Sequence, residues 1–141
     1  MVIVLDASVA VKWYARESLT SDSLDLLQDM HGNIVVPDIF LSEVIGALVR
    51  NANIEKALRN DSIESISRFA SLFANGWVHV ERTDPRKMEQ ASILALDLGH
   101  ALKDCIYLAL AMELGCDLVT CDARFASKAK RVWAGVRMLG E

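Results

Sequence analysis

The strongest constraint on the fold is a repeated pattern in which short apolar runs alternate with longer segments of helical periodicity. The first run, residues 2–5, is β-branched at three of its four positions, as is typical of a parallel strand buried on both faces. Further strands are predicted at residues 34–36, 77–80, 118–121 and 136–139, where apolar residues predominate but His79 and Arg137 interrupt the third and fifth strands. Because strands that alternate with helices join through right-handed crossovers, the pattern predicts an α/β fold around a mainly parallel sheet.

The helices between these strands are predicted from capping residues and apolar spacing. Ser21 opens a helix whose core face would carry Leu24 and Leu27. Pro37 breaks the second strand, and Asp38 can cap the helix that follows it. An apolar stripe at helical spacing predicts a further helix facing the core, and its members are Ile63, Ile66, Phe69, Ala70 and Phe73.

The composition is that of a core-rich globular chain. The 141 residues are 52% hydrophobic, which fits one domain over residues 1–141 with its own core. The longest apolar run has eight residues, whereas a membrane span needs about 20, and no secretion signal precedes Asp6, so a cytoplasmic location is expected. The odd count of three cysteines, Cys105, Cys116 and Cys121, favours reduced, buried thiols over disulfides or a zinc site.

The charge distribution leaves nucleic-acid binding open. A net charge of −4 counts mildly against it. However, five basic residues and no acid lie between positions 124 and 137, namely Arg124, Lys128, Lys130, Arg131 and Arg137. On charge alone, this stretch fits a solvated surface and a set of RNA phosphate contacts equally well.

Four acidic residues are predicted to meet at one edge of the sheet. Asp6 directly follows the first strand and Asp122 follows the fourth, while Glu43 and Asp104 lie near the starts of helices that begin at the same edge. In open parallel sheets, ligands bind beyond the carboxyl ends of the strands. Asp117 precedes the fourth strand and should lie roughly 16 Å from Asp122 at about 3.3 Å per residue, so we exclude it.

Four carboxylates in one place are costly unless cations neutralise them. Their oxygen atoms suit Mg²⁺ or Mn²⁺, and two such ions can flank a phosphodiester. Each acid alone has an ordinary explanation as a turn residue, a helix cap or a surface side chain, and only their joint placement favours a metal site. Ser8 follows Asp6 by two residues, and its hydroxyl could hold an Asp6 oxygen or a metal-bound water, or cap a helix.

Four segments of the chain together resemble the PIN domain. They are Asp6-Ala7-Ser8, Pro37 followed by Glu43, Asp104-Cys105-Ile106-Tyr107-Leu108-Ala109-Leu110-Ala111, and Leu118-Val119-Thr120-Cys121-Asp122-Ala123-Arg124-Phe125. The resemblance implies a three-layer α/β/α sandwich and Mg²⁺- or Mn²⁺-dependent endoribonuclease activity. It also implies that Asp6, Glu43, Asp104 and Asp122 form the metal cluster, with Ser8 in support.

The same resemblance implies partners. PIN proteins of this length are commonly toxins of VapBC-type toxin–antitoxin pairs. They usually form homodimers and are inhibited by a small antitoxin. RNA would be the substrate. The basic stretch is not a signature of the family, but Arg124 lies two residues past Asp122, so we expect Arg124, Lys128, Lys130 and Arg131 to help to hold RNA phosphates.

Two other functions are alternatives to RNA cleavage for a chain with this pattern of acids. A metal-dependent phosphatase of the Asp-x-Asp kind would need an acid at position 8, where this chain has Ser8. A non-catalytic RNA-binding module is the second alternative. The chain has no glycine-rich phosphate loop, and four acids without a metal would repel a phosphate group.

Overall fold

The computed structural model describes residues 1–141, and its centre is a sheet of five parallel strands. The strands are β1 (Ile3–Leu5), β2 (Ile34–Pro37), β3 (Val78–Glu81), β4 (Asp117–Thr120) and β5 (Val136–Met138). Their order across the sheet is β3-β2-β1-β4-β5, and every neighbouring pair is parallel. The predicted α/β class is therefore confirmed.

Seven α-helices connect and cover the strands. They are α1 (Ala7–Val11), α2 (Thr20–Met30), α3 (Ile39–Ile54), α4 (Arg59–Ala74), α5 (Pro85–Leu98), α6 (Leu102–Leu114) and α7 (Ala123–Ala129), with 3₁₀ turns at Lys12–Tyr14 and Lys56–Leu58. Helix α6 lies against β1, β2 and β4, and α5 packs on α6, whereas α3 packs against α1 and α4. The result is the expected three-layer α/β/α sandwich.

The central strand β1 sets the position of the functional edge. Its three residues are at most 1% exposed, because it has a strand on each side and helices on both faces. The chain runs outward from β1 to β2 and β3, then returns to place β4 on the other side of β1. In sheets of this kind, the crevice at such a reversal is the usual ligand site. Leu5 pairs with Val119, so Asp6 and Thr120 meet at the carboxyl ends of β1 and β4.

Two predictions of helix orientation are wrong. Leu24 in α2 is 43% exposed, because buried Ser23 faces inward beside Leu27 and donates its hydroxyl to the Val9 carbonyl at 2.7 Å. In α4, Ile63 and Ala70 also face solvent, while the remaining members of the predicted stripe are buried or half-buried. In α2 the inward face includes the side chain of Ser23, which a purely apolar pattern does not reveal.

The turn after β2 agrees with prediction at Pro37 and differs from it at Asp38. Strand β2 ends at Pro37, one residue later than predicted, in register with Glu81 of β3. Asp38 does not cap α3, because its own backbone is already helical and its side chain makes no capping bond. Instead, its Oδ2 accepts the backbone N–H of Thr83 at 3.3 Å and ties the ends of β2 and β3 together.

The three cysteines are free thiols that differ in burial. Cys105 is buried, whereas Cys116 and Cys121 are partly buried. None of the helices combines the length and the apolar character that crossing a membrane requires.

Candidate metal and active site

Asp6 lies at the junction between β1 and β4, at the centre of the candidate site. It is only 5% exposed, and its backbone N–H donates to the Val119 carbonyl at 3.0 Å. Its side chain does not cap α1. Oδ2 instead accepts hydrogen bonds from Thr120 Oγ1 at 2.8 Å and Ser8 Oγ at 2.9 Å. Because both bonds converge on Oδ2, Oδ1 is the oxygen that remains open to a ligand.

Two hydroxyl groups tie the ends of β1 and β4 together. Thr120 Oγ1 also accepts the N–H of Asp122 at 3.0 Å, and Ser8 Oγ accepts the N–H of Cys121 at 3.0 Å. Ser8 is not a helix N-cap, because α1 begins one residue earlier, at Ala7. Sequence reasoning missed Thr120, which is fully buried. The available signal was a single hydroxyl at the end of an apolar strand, two residues before Asp122.

The surroundings of Asp6 oppose its ionisation. The pKa of Asp6 is raised from 3.8 to about 6, and burial is the largest cause. The hydrogen bonds from Thr120 and Ser8 lower the pKa and offset part of this effect, whereas the negative charges of Asp104 and Glu43 contribute to the rise. Burial and neighbouring carboxylates therefore both favour the protonated form of Asp6.

Asp104 lies in the first turn of α6, as predicted, and is paired with a histidine that sequence reasoning missed. Its Oδ2 lies 2.6 Å from Nε2 of His100, and the two side chains are 15% and 11% exposed. The spacing of four residues around the start of a helix was the available signal. His100 precedes the helix, however, so regular helical spacing does not by itself predict the contact.

Asp122 combines a structural role with a place in the cluster. Its Oδ1 caps α7 by accepting the N–H of Phe125 at 3.0 Å. A ring nitrogen of His100 and one carboxylate oxygen from each of Asp104 and Asp122 lie within 4.8 Å of one another. Asp122 therefore does cap a helix, which is the ordinary explanation for an acid at this position. The same capping bond holds its carboxylate beside Asp104.

Glu43, in the early part of α3, is held by two side chains of α6. Its Oε1 accepts a hydrogen bond of 2.6 Å from the hydroxyl of Tyr107, and its Oε2 lies 3.8 Å from Nζ of Lys103. Burial raises the pKa of Tyr107 above its usual range, and the hydrogen bond to Glu43 adds to the effect. Tyr107 therefore remains a donor that fixes the orientation of Glu43. Neither Tyr107 nor Lys103 was predicted.

An open groove runs beside this cluster and carries part of the predicted basic surface. Asp104 and Asp122 contribute to its lining, together with Lys103, Arg124 and Lys128. The groove thus places cationic side chains next to the carboxylates, where an extended anionic ligand could contact both.

The four basic residues predicted to hold RNA do not all face this groove. Lys128 lines it but also donates from Nζ to the carbonyl of Gly99 at 2.7 Å. Lys130 and Arg131 lie outside it, and Nζ of Lys130 is 3.4 Å from Glu141. The structure therefore brings Arg124 and Lys128 to the groove and leaves the other two on the neighbouring surface.

The chemistry of the carboxylates suits a hard divalent cation. Of the four predicted acids, Asp104 and Asp122 belong to the compact group of ligand atoms, whereas Asp6 and Glu43 lie outside that group. Asp6 is linked to Asp104 and Glu43 through their charges. Asp6 is buried among negative charges with one oxygen open, which is an unfavourable arrangement unless a cation neutralises it. Carboxylate oxygens are the ligands that Mg²⁺ and Mn²⁺ prefer in proteins. Asp6, Glu43, Asp104 and Asp122 could hold such an ion, and the basic groove could hold a phosphate group beside it.

A parallel α/β sandwich with an acidic cluster at the reversal of its strand order defines a recognisable class of protein, and comparison with known proteins identifies the family. The family model of the PIN domain matches residues 3–131. The chain is 32% identical over 126 residues to Ribonuclease VapC12 of Mycobacterium tuberculosis, covering 88% of this chain and 89% of that protein. This chain belongs to the PIN domain family.

Solved structures show the same fold at lower identity. The crystal structure of PAE2754 from Pyrobaculum aerophilum has a TM-score of 0.67 at 18% identity, covering 99% of this chain and 90% of that one. VapC20 of Mycobacterium tuberculosis, described as a sarcin-ricin loop cleaving toxin, has a TM-score of 0.69 at 15% identity, covering 89% and 93%. These similarities extend over nearly the full length of each chain.

The buried charge of Asp6 predicts a specific dependence of stability on pH in metal-free protein. The folded-state pKa of about 6 exceeds the ordinary value of 3.8, so the folded state binds the Asp6 proton more tightly than the unfolded state. This contribution to stability is complete below about pH 4 and is lost as pH rises through about 6. We expect Asp6→Asn to be more stable than the wild type by about 1–3 kcal/mol at pH 7 in EDTA, and to lack this loss.

Urea unfolding of the wild type and of Asp6→Asn between pH 4 and pH 7 measures the free energy of unfolding of each protein. The difference between the two values isolates the contribution of Asp6 from those of the other titrating groups. Asp117→Asn is the matched control, because Asp117 lies at the opposite end of β4, 3.4 Å from Arg137. Parallel stability profiles for the wild type and Asp6→Asn would contradict the assignment.

Proposed function

We propose that this chain is a divalent-metal-dependent endoribonuclease that hydrolyses RNA phosphodiester bonds and acts as the toxin of a toxin–antitoxin pair. The observation that carries the proposal is the buried Asp6 carboxylate, whose Oδ2 is held by Thr120 and Ser8 and whose ionisation is opposed by burial and by the charges of Asp104 and Glu43. Membership of the PIN domain family and similarity to a VapC ribonuclease support the same activity.

In this proposal Asp6, Glu43, Asp104 and Asp122 hold Mg²⁺ or Mn²⁺. Such an ion, when bound, activates water for attack on phosphorus and neutralises the developing charge. Ser8 and Thr120 hold Oδ2 of Asp6 and leave Oδ1 free to bind the ion.

Two further contacts keep the ligand side chains in place before substrate arrives. The hydroxyl of Tyr107 fixes Glu43, and the helix-capping bond of Asp122 fixes its carboxylate. Since these side chains are already positioned, little conformational entropy is lost when the site fills.

The proposal includes a cytoplasmic location. An RNA substrate and three free thiols are consistent with that location.

The role of Asp104 can be tested by an isosteric substitution. We expect Asp104→Asn to lower the rate of RNA cleavage by at least about two orders of magnitude, because a metal ion supplies several kcal/mol of transition-state stabilisation. The increase in melting temperature that Mg²⁺ or Mn²⁺ gives the wild type should also shrink, since the ion stabilises the folded state only by binding to it.

Asp117→Asn is the control for this test, because it makes the same chemical change at the opposite edge of the sheet. It should retain both the cleavage rate and the metal-induced stabilisation. If Asp104→Asn cuts RNA at the wild-type rate, Asp104 is only a helix-dipole acid and the proposed site is wrong.

Phosphate contact is proposed for the basic residues beside the cluster. Arg124 and Lys128 line the groove, and Lys103 adds a third cation there. Lys130 and Arg131 lie beyond the groove and would contact RNA only if its path continues along the surface after Lys128.

Salt dependence distinguishes these contacts from a solvated surface. Each phosphate contact on a single strand contributes about 0.7 to the slope of log affinity against log salt. In the Asp104→Asn background, which prevents cleavage, the pair Lys103→Ala and Arg124→Ala should reduce the slope by about 1.4.

The pair Lys130→Ala and Arg131→Ala tests the outer path in the same assay. The pair Lys56→Ala and Arg59→Ala is the control, because both residues are exposed and neither lines the groove. Equal slopes for the groove pair and the control pair would show that the groove does not hold phosphates.

Two protein partners are part of the proposal. A second copy of the chain is supported by α5, where Leu96 is 82% exposed and Ile93, three residues before it on the same side, is 54% exposed. A small antitoxin is supported by the surface of α3 and α4, where Ile54 and Ile63 are 79% and 51% exposed. A groove lined by Leu48 and Leu58 lies between these two helices.

The dimer can be tested by light scattering. The wild type should have twice the single-chain mass of 15.6 kDa, and Leu96→Glu should shift it toward the single-chain value, because a charge would be buried in an apolar contact. Ile54→Glu makes the same change on the other surface and should leave the dimer intact. A wild-type mass near 15.6 kDa at high concentration would exclude the dimer, and a dimeric Leu96→Glu would exclude this surface.

A further inference from the structure

His100 is a nitrogen donor inside a cluster otherwise made of oxygen donors. Its Nε2 lies 2.6 Å from Oδ2 of Asp104. One of its ring nitrogens is within 4.8 Å of carboxylate oxygens of both Asp104 and Asp122. The four-acid site does not require this imidazole, so its position calls for an explanation of its own.

The imidazole ring is held in place from several directions. Gly99 ends α5 in the left-handed conformation with φ 59°, and the N–H of His100 donates to the Ala95 carbonyl at 3.1 Å. Lys128 fixes the same turn through its bond to the Gly99 carbonyl. The ring stacks on fully buried Phe125, with centroids 5.0 Å apart and planes inclined by 23°. Such a ring loses little freedom when it binds a ligand.

The three donors lie close enough to converge on a single metal ion. Ligand atoms that lie about 2.0–2.2 Å from one ion are at most about 4.4 Å from each other. A spread of up to 4.8 Å therefore needs a movement of a few tenths of an ångström. If Nε2 binds the ion, its hydrogen bond of 2.6 Å with Asp104 opens, because a ring nitrogen that binds an ion cannot also donate a proton. The groove beside the three residues leaves room for the remaining positions around the ion to be filled by water or phosphate.

The chemistry of the donors distinguishes between ions. Mg²⁺ prefers oxygen ligands and keeps several waters, whereas imidazole nitrogen is a good ligand for first-row transition-metal ions. Mn²⁺ accepts both kinds of donor at similar distances. One nitrogen among the carboxylates should therefore raise the affinity for Mn²⁺ without raising that for Mg²⁺.

We propose that His100 is a metal ligand, together with Asp104 and Asp122, and that it gives the site a preference for a first-row transition-metal ion such as Mn²⁺ over Mg²⁺. The inference rests on the proposed metal-dependent function and adds the class of ion to it. The competing role for His100 is a hydrogen-bond donor that only orients Asp104, as outer partners of metal ligands commonly do.

The two roles predict different responses to His100→Gln, whose amide keeps a hydrogen-bond donor but is a poor transition-metal ligand. Binding of Mn²⁺ to the whole protein is followed by the loss of its free-ion EPR signal, and Mg²⁺ is measured by competition. We expect His100→Gln to weaken Mn²⁺ binding by at least about tenfold and to leave Mg²⁺ binding within about threefold, whereas the loss of an orienting partner would weaken the binding of both ions, by about 10–100-fold.

His79→Gln is the matched control, because it removes an exposed imidazole on strand β3 and should leave both affinities unchanged. Equal weakening of both ions by His100→Gln would assign His100 to orientation alone and overturn the proposal. Unchanged binding of both ions would also overturn it.

A measurement on the wild type makes the test independent of variant folding. Pulsed EPR of the Mn²⁺-loaded protein should show ¹⁴N coupling from a directly bound imidazole, and its absence would overturn the proposal.

Asp6→Asn separates this inference from the proposed function. If the wild type binds neither ion, or if Asp6→Asn binds both as tightly as the wild type, the proposed metal site itself fails. If ion binding depends on Asp6 but not on His100, only the role of His100 is wrong.

Discussion

The structure of the site depends on the hydrogen bond from Thr120 to Asp6. It joins the last residue of β4 to the first residue after β1, across the point where the strand order reverses. The same Thr120 hydroxyl accepts the N–H of Asp122, so one oxygen atom positions two of the four acids. A carboxylate that is 5% exposed would be unfavourable there without donors to hold it. The hydroxyl groups of Thr120 and Ser8 supply those donors without neutralising the charge.

The groups that stabilise the fold are different from the groups that would bind a ligand. The parallel sheet and its apolar core hold the strand ends in register, and the helices α3 and α6 bring Glu43 and Asp104 to the same edge. Stability in the metal-free state is reduced by the clustered charges, since burial and like charges both oppose the ionisation of Asp6. Such local cost is typical of sites where chemistry requires groups that the fold alone would not favour.

Much of the architecture was predictable because it depends on short-range patterns. Short segments rich in apolar residues predicted all five strands, and the rule that parallel strands end at a common edge selected Asp6 and Asp122 and excluded Asp117. The errors arose where a side chain bonds to something distant in sequence. Ser23 turns α2 so that Leu24 faces solvent, and Asp38 bonds across to the end of β3 and does not cap its helix.

The supporting residues of the site were harder to predict than the acids, because their roles depend on the contacts that they make. The contact between Tyr107 and Glu43 joins residues 64 positions apart, and that between Thr120 and Asp6 joins residues 114 positions apart. His100 lies only four residues from Asp104, but it precedes α6, so helical spacing does not by itself predict their contact. The four acids were different, because Asp6 and Asp122 directly follow strands, while Glu43 and Asp104 lie in the early turns of helices.

The two oxygens of Asp6 are not equivalent, and this has a consequence for any amide at position 6. Thr120 and Ser8 both donate to Oδ2, so an asparagine there must turn its carbonyl oxygen toward the two hydroxyls. Its amide nitrogen then occupies the place of Oδ1 and directs N–H groups into the site. The substitution therefore reverses the polarity of the open position, from a group that accepts to one that only donates. A chain altered in this way keeps the bonds that hold its sheet together, yet presents an incoming cation with hydrogen atoms where it formerly met a lone pair.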